Sequence, residues 1–254
     1  ARLRAVKDYS INYGPTVIPP KKYLFPAKED VLKFEKGEIL PPKNKDFILF
    51  GVNKKDGEGL FYLDKIYHYP IEDSFYLDRR SHMKLVIVDS LPPSNNINCD
   101  LYLQIIGEKD FEAFPFSDFG EKLVAKGNLF GKKGDTGTIS VRHMPDDILY
   151  HPRLAEIITA SREDKIWDKL AEICFNCGIC SYSCPLCYCY SEEDRIDLRG
   201  NANDKIVGGK ERIWDSCMLP DFASISSKDF RPKSRDRIYN WYYHKFVRMP
   251  NEQG

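Results

Sequence analysis

The stretch Cys174-Phe175-Asn176-Cys177-Gly178-Ile179-Cys180-Ser181-Tyr182-Ser183-Cys184-Pro185 carries four cysteines at the spacing C-x2-C-x2-C-x3-C-P. Two-residue gaps let a tight loop direct three thiolates at three corners of one cubane, while backbone N–H groups of the loop bond to the sulfides. Gly178 suits this turn because glycine accepts a positive φ. The spacing predicts a [4Fe–4S] cluster held by Cys174, Cys177 and Cys180.

The fourth ligand of this cluster is left open by the spacing. In ferredoxins with two clusters, the fourth cysteine of such a run binds the other cluster. Cys184 therefore either closes the first cluster or serves a neighbouring one. Three further thiols could contribute to a second cluster, although each could instead be a small buried apolar residue; these are Cys187, Cys189 and Cys217.

Structural zinc is the main alternative for these cysteines. Pairs of the form C-x2-C also hold zinc, but zinc sites usually use two separated pairs. Three cysteines at successive gaps of two, followed by a fourth before proline, favour an iron–sulfur cluster. A disulfide framework is disfavoured because it belongs to small domains that cannot build a core. This chain has 254 residues, and seven of its eight cysteines fall between residues 174 and 217.

Composition limits the class of partner. The chain has 38 basic and 38 acidic residues, so no net charge favours nucleic acid or an anionic membrane surface. Its longest apolar runs are far shorter than the roughly 20 residues that cross a bilayer. The first residues carry charge without a following apolar stretch, which is not typical of a secretory signal. A cytoplasmic location is expected.

The order of patterns along the chain predicts two domains, 1–150 and 151–254. The first contains three apolar, β-rich runs typical of buried strands, at 46–52, 84–89 and 101–106, with a helix at 59–67 that would cross between the first two. The second has helical spacing of apolar residues before the first cysteine and again over 235–247, where Pro250 would end the helix. The prediction is an α+β chain, with an N-terminal α/β sheet domain followed by a mainly helical, ferredoxin-like iron–sulfur domain.

Four further segments add to the cysteine run: CPLCYCY at 184–190, ERIWDSC at 211–217, PPKKYLFP at 19–26 and FGVNKKD at 50–56. Together they resemble the iron–sulfur β subunits of cytoplasmic sulfhydrogenases, a family that is similar to one of the subunits of anaerobic sulfite reductase. The resemblance covers most of the chain. It implies an α/β domain joined to a dicluster domain that passes electrons between a flavin-containing subunit and a catalytic, hydrogenase-like subunit.

The N-terminal half departs from this family at candidate ligand positions. In the family, a cysteine precedes the aspartate that matches Asp56, and further cysteines follow the strand that ends near Asp89. This chain has Lys55 and Ser90 at these places and retains only Cys99. No N-terminal cluster is therefore expected.

The C-terminal end departs as well. Relatives carry a second C-x2-C-x2-C run soon after a segment that resembles residues 242–247, whereas this sequence stops at Gly254. We expect a truncation before the second cysteine run.

These features predict a subunit that relays single electrons and makes no bonds in substrate, so no catalytic residue is assigned. The expected cofactors are one [4Fe–4S] cluster, with a second left open, and a flavin in a partner subunit. The expected assembly is a hetero-oligomer with a flavin-containing reductase subunit and a catalytic redox subunit of hydrogenase, sulfite reductase or heterodisulfide reductase type. The alternative is a structural or regulatory zinc or iron–sulfur protein without a relay role.

Overall fold

The chain divides into two units in a computed structural model that describes residues 16–35, 38–40, 43–107, 110–126, 152–197 and 207–253. Unit 1 comprises Ala1–Leu24 and Lys43–His143, and unit 2 comprises Phe25–Pro42 and Met144–Gly254. The predicted boundary between residues 150 and 151 lies outside the described residues. The assignment of 25–42 to unit 2 was not anticipated from the sequence.

The strands in chain order are β1 Lys28–Glu35, β2 Glu38–Leu40, β3 Phe47–Val52, β4 Met83–Asp89, β5 Leu101–Ile105, β6 Phe111–Pro115, β7 Tyr190–Asp197, β8 Val207–Trp214, β9 Ser224–Ile225 and β10 Lys228–Asp229. The helices are α1 Lys54–His68, α2 Ser74–Ser81, α3 Asp118–Lys126, α4 Pro152–Ala160, α5 Ile166–Ile173, α6 Ile179–Tyr182, α7 Ser234–Tyr243 and α8 Met249–Gln253. Among the described residues, no helix is long and apolar enough to cross a membrane.

Unit 1 is built on a four-stranded sheet in the order β3-β4-β5-β6, in which the first three strands are parallel and the last is antiparallel. The three predicted strands and the crossover helix are confirmed by β3, β4, β5 and α1. Strand β4 lies between two neighbours, and its central residues 85–88 are buried. This is the continuous apolar pattern that parallel strands covered on both faces require.

Unit 2 contains a four-stranded antiparallel sheet in the order β2-β1-β8-β7, which the sequence patterns did not predict. Its strands are rich in charged residues rather than apolar ones. Arg212 forms an ion pair with Glu29 across β1 and β8, and both side chains are buried. Glu211 accepts from Lys28 and Arg195 at 2.6 Å each. Paired charges at buried positions conceal the strand pattern from hydropathy.

The helical part of unit 2 has its own apolar core, made by Trp167, Cys217, Met218 and Ile238. The helices predicted on both sides of the cysteine region are confirmed by α4, α5 and α7. The prediction that Pro250 ends the last helix was wrong, because α8 contains it. Pro250 lies in the first turn of α8, where the missing N–H has no intrahelical partner to lose. The chain as a whole is α+β, and unit 2 combines these helices with its sheet.

Candidate metal centre

The loop between α5 and α6 carries the first three cysteines. Asn176 and Gly178 both adopt positive φ, at 52° and 75°, and the backbone N–H of Asn176 donates to Cys174 Sγ at 3.4 Å. The positive φ expected at Gly178 is confirmed. Two left-handed residues in five turn the backbone sharply. The loop thus already directs a backbone donor at a cysteine sulfur, as a cluster-binding loop requires.

Gly178 is also restricted by its surroundings. A Cβ built on it would lie 2.9 Å from Cβ of Ser216. Ser216 belongs to the turn that follows β8, so the cysteine loop and this turn are in close contact. A side chain at position 178 would separate them.

The side chain of Asn176 holds the loop from the other direction. Its Nδ2 donates to the carbonyl oxygen of Cys174 at 3.2 Å. Its Oδ1 accepts from Ser234 Oγ at 2.8 Å and from Arg237 Nη2 at 3.3 Å. The guanidinium of Arg237 is buried and also donates to two backbone carbonyls that precede α7. The start of α7 therefore fixes the loop and places a positive charge near it.

Four of the seven clustered cysteines share the apolar core of unit 2. Cys217 is one of its buried members, and three others pack against it: Cys174, Cys180 and Cys189. A hydrogen bond with the thiol of Cys189 lowers the pKa of Cys217. Burial raises the pKa of Cys180. Cys177, by contrast, is exposed.

The remaining two thiols form a second group around a lysine. Lys245 Nζ donates to Cys184 Sγ at 2.9 Å and to Cys187 Sγ at 3.4 Å. A hydrogen bond from Cys187, together with the charge of Lys245, lowers the pKa of Cys184 to about 4. The hydrogen bond to Cys184 raises the pKa of Cys187. Burial lowers the pKa of Lys245, but the two thiols outweigh it and the net shift is upward.

These two groups do not converge on a single metal ion. Within the described ranges, no three His, Cys, Asp or Glu side chains are placed to hold one. A cubane of four irons and four sulfides spreads its thiolates further apart than one ion does. A turned loop with an N–H donor on sulfur, several neighbouring thiols and buried cations are features that suit such a cluster. The residues present therefore fit an iron–sulfur cluster.

Unit 1 offers a different environment for its cysteine. Cys99 is buried, and burial with the nearby Asp100 raises its pKa to about 12. A thiol of this kind resists the deprotonation that metal ligation needs. At the other end of the sheet, Asp89 accepts from the backbone N–H of Lys54 at 2.8 Å, and Asn53 caps α1.

Sequence reasoning missed several residues that shape the site. Asn176 gave no signal beyond its place between two cysteines, although asparagine tolerates positive φ better than most residues. The roles of Ser181, Ser216 and Arg237 depend on contacts between segments far apart in the chain, which spacing does not reveal. Lys245 stood out only as a member of the segment 242–247 that resembles relatives.

Comparison with known proteins gives two matches. Residues 173–254 match the model of a 4Fe-4S dicluster domain. The chain is 26% identical over 269 residues to sulfhydrogenase 2 subunit beta of Pyrococcus furiosus, an alignment that covers 96% of this chain and 77% of the relative. No solved structure matches the chain. The resemblance inferred from the cysteine motifs is confirmed: residues 173–254 belong to the 4Fe-4S dicluster domain family, and the chain is an iron–sulfur relative of sulfhydrogenase β subunits.

Proposed function

We propose that this chain is an electron-transfer subunit, relaying single electrons through [4Fe–4S] clusters between a flavin-containing subunit and a catalytic subunit of an oxidoreductase complex. The observation that carries the proposal is the loop 174–180 within the dicluster domain, which combines the C-x2-C-x2-C spacing with two positive-φ residues and an N–H donor on sulfur. When bound, the cluster supplies reversible one-electron chemistry.

The protein's own residues hold and insulate the cluster. Cys174, Cys177 and Cys180 provide three thiolates, and the aromatic and aliphatic side chains around Trp167 exclude water from one side of the loop. Cys177 is exposed, so the opposite side is open. A site closed on one side and open on the other suits transfer of electrons to an external partner.

The fourth ligand is proposed to be Cys217. It is 5% exposed and lies in the same apolar core against which Cys174 and Cys180 pack. Cys184 instead contacts Cys187 and the ammonium of Lys245. This separation supports a second cluster to which Cys184 and Cys187 contribute, with Cys189 between the two groups as a further candidate ligand.

The partners are proposed from the relative and from the chemistry. The similar protein is a subunit of a sulfhydrogenase, and an electron relay works only between a donor and an acceptor. Nothing in the described site suggests a group that makes or breaks bonds in a substrate. A hetero-oligomer with a flavin-containing donor or acceptor and a catalytic redox subunit follows.

The decisive experiment is metal and sulfide analysis of the anaerobically purified chain. We expect iron and acid-labile sulfide in equal amounts, and an electron paramagnetic resonance signal after reduction. The variant Cys177→Ser should lose the signal of the first cluster with its fold intact. The matched control Cys99→Ser should keep it, because Cys99 is buried in unit 1.

The same analysis separates the alternative. Stoichiometric zinc without sulfide would contradict the relay and support a structural or regulatory zinc protein. An unchanged cluster signal in Cys177→Ser would refute the ligand assignment.

A further inference from the structure

Two buried serine hydroxyls lie between the cysteine loop and the turn after β8. Ser181 is 1% exposed and Ser216 is 0% exposed. Their Oγ atoms are 2.9 Å apart. Each belongs to a segment that carries a cysteine beside it, since Ser181 follows Cys180 and Ser216 precedes Cys217. The serine pair therefore joins the two segments at the cysteines themselves.

The direction of these hydrogen bonds is fixed by a backbone donor. The N–H of Met218 donates to Ser216 Oγ at 3.1 Å. Because an N–H can only donate, Ser216 Oγ is the acceptor of this bond, and its own proton is directed to Ser181 Oγ. Ser181, having accepted, retains its proton for another acceptor.

The acceptors within reach of Ser181 are sulfurs. Its hydroxyl makes hydrogen bonds with the thiols of Cys180 and Cys217, and in each case the bond acts to lower the cysteine's pKa. At Cys180 burial outweighs this contribution, whereas at Cys217 it adds to the larger effect of Cys189. A buried hydroxyl donor is thus shared between two cysteines on different segments.

A purely structural role would not need this arrangement. Burying a hydroxyl costs free energy unless it is hydrogen-bonded, and alanine would fill nearly the same volume at each position. The close contact at Gly178 is made by Cβ of Ser216, which alanine would preserve. The hydroxyls therefore add something other than packing, namely a proton directed at sulfur.

We propose that Ser216 and Ser181 form a directed hydrogen-bond relay that holds a hydroxyl donor on the sulfurs of Cys180 and Cys217 and so raises the reduction potential of the cluster they bind. The inference rests on the proposed function, because it requires a cluster at these cysteines. Reduction adds negative charge to the cluster, and hydrogen bonds to its sulfurs stabilise that charge. Ser181 and Ser216 are positioning residues, of which Ser216 acts through Ser181.

The test is a redox titration of the cluster signal in the full chain, purified with its clusters. Ser181→Ala should shift the midpoint potential to more negative values, with iron and sulfide content unchanged. Ser216→Ala should shift it in the same direction by less. The double variant should match Ser181→Ala alone, because Ser216 has no effect once Ser181 is gone.

The matched control is Ser183→Ala. Ser183 lies two positions after Ser181, but its hydroxyl donates to the carbonyl oxygen of Ile179. Its loss should leave the potential unchanged. Ser181→Thr, which retains the hydroxyl, should keep the wild-type potential and should restore what Ser181→Ala loses.

Two results would overturn the relay while leaving the proposed function intact. One is a potential in Ser181→Ala and Ser216→Ala equal to that of Ser183→Ala. The other is a double variant whose shift is the sum of the two single shifts. If Ser181→Ala fails to assemble a cluster, Ser216→Ala and Ser181→Thr decide by the same comparison. A wild-type chain without any cluster would instead remove the proposed function itself.

Discussion

At the scale of single residues, Lys245 is the charge on which the second group of cysteines depends. Its ammonium contacts both Cys184 and Cys187 and lies 4.9 Å from the ring centroid of Trp241. A buried cation is stabilised by a nearby anion, and a thiolate is the only anion these contacts can supply. Lys245 and Cys184 therefore hold each other in the charged form.

This pairing predicts the reactivity of the metal-free chain. With a pKa of about 4, Cys184 is a thiolate at pH 6, and it loses that form only as the pH falls through its pKa. Lys245→Gln should raise this pKa toward the ordinary cysteine value of about 8.5, and the thiolate fraction at pH 6 falls about tenfold for each unit once the pKa passes 6. Slower alkylation of Cys184 by iodoacetamide, followed by mass spectrometry, measures the change.

The matched control for this prediction is Lys169→Gln. Lys169 is exposed on α5, so its loss should leave the alkylation rate of Cys184 unchanged. Equal rates in wild type, Lys245→Gln and Lys169→Gln would show that Lys245 does not maintain the thiolate.

Gly178 allows strain and steric contact to be separated. Gly178 and Gly51 both have positive φ, at 75° and 83°, but only Gly178 would bring a Cβ against another residue, whereas Gly51 has nothing within 4 Å. Gly51→Ala should cost about 1–2 kcal/mol from left-handed strain alone. Gly178→Ala should cost more in urea unfolding and should also lower the iron content. Equal costs and unchanged iron would mean that the contact with Ser216 is unimportant.

At the scale of elements, the strands of unit 2 show where sequence patterns fail. The runs at 84–89 and 101–106 predicted strands because both faces of a parallel sheet are apolar. In β1 and β8 the buried positions include Glu29, Glu211 and Arg212, and such residues look like a solvated surface in the sequence. Their burial is possible only through partners on distant segments, as in the bond from Arg212 to Glu29, which are 183 residues apart in the chain.

The Glu29–Arg212 pair should be the most sensitive point of this sheet. Arg212→Met leaves Glu29 buried without its partner, which costs about 3–5 kcal/mol in the free energy of unfolding. The control on the same strand is Lys210→Met, whose partners Glu192 and Asp194 are exposed, and it should cost less than about 1 kcal/mol. Changing Glu29 to Leu together with Arg212→Met should recover much of the loss. A small effect of Arg212→Met alone in urea unfolding would contradict the importance of the pair.

At the scale of the whole molecule, chemistry and architecture were predictable to different extents. The spacing of Cys174, Cys177 and Cys180 was enough to predict an iron–sulfur domain, because cluster ligation is a local property of one loop. The division of the cysteines into two groups was not predictable, since it depends on where β8 delivers Cys217 and where the segment after α7 delivers Lys245. The discontinuous unit 2 was missed for the same reason, because only strand pairing assigns residues 25–42 to it.

The two units have separate sheets and separate cores, which predicts two unfolding transitions. Clusters bound by the cysteines between 174 and 217 should stabilise only the unit that contains them, because ligands add stability to the folded state they bind. Removal of iron by a chelator under anaerobic conditions should lower the midpoint of one calorimetric transition by more than about 5 °C, as expected for a few kcal/mol of ligation energy. The other transition should stay in place, and Val86→Ala, in the core of unit 1, should shift that one instead. A single transition that moves as a whole in both experiments would show that the units unfold together and that the cluster stabilises the entire chain.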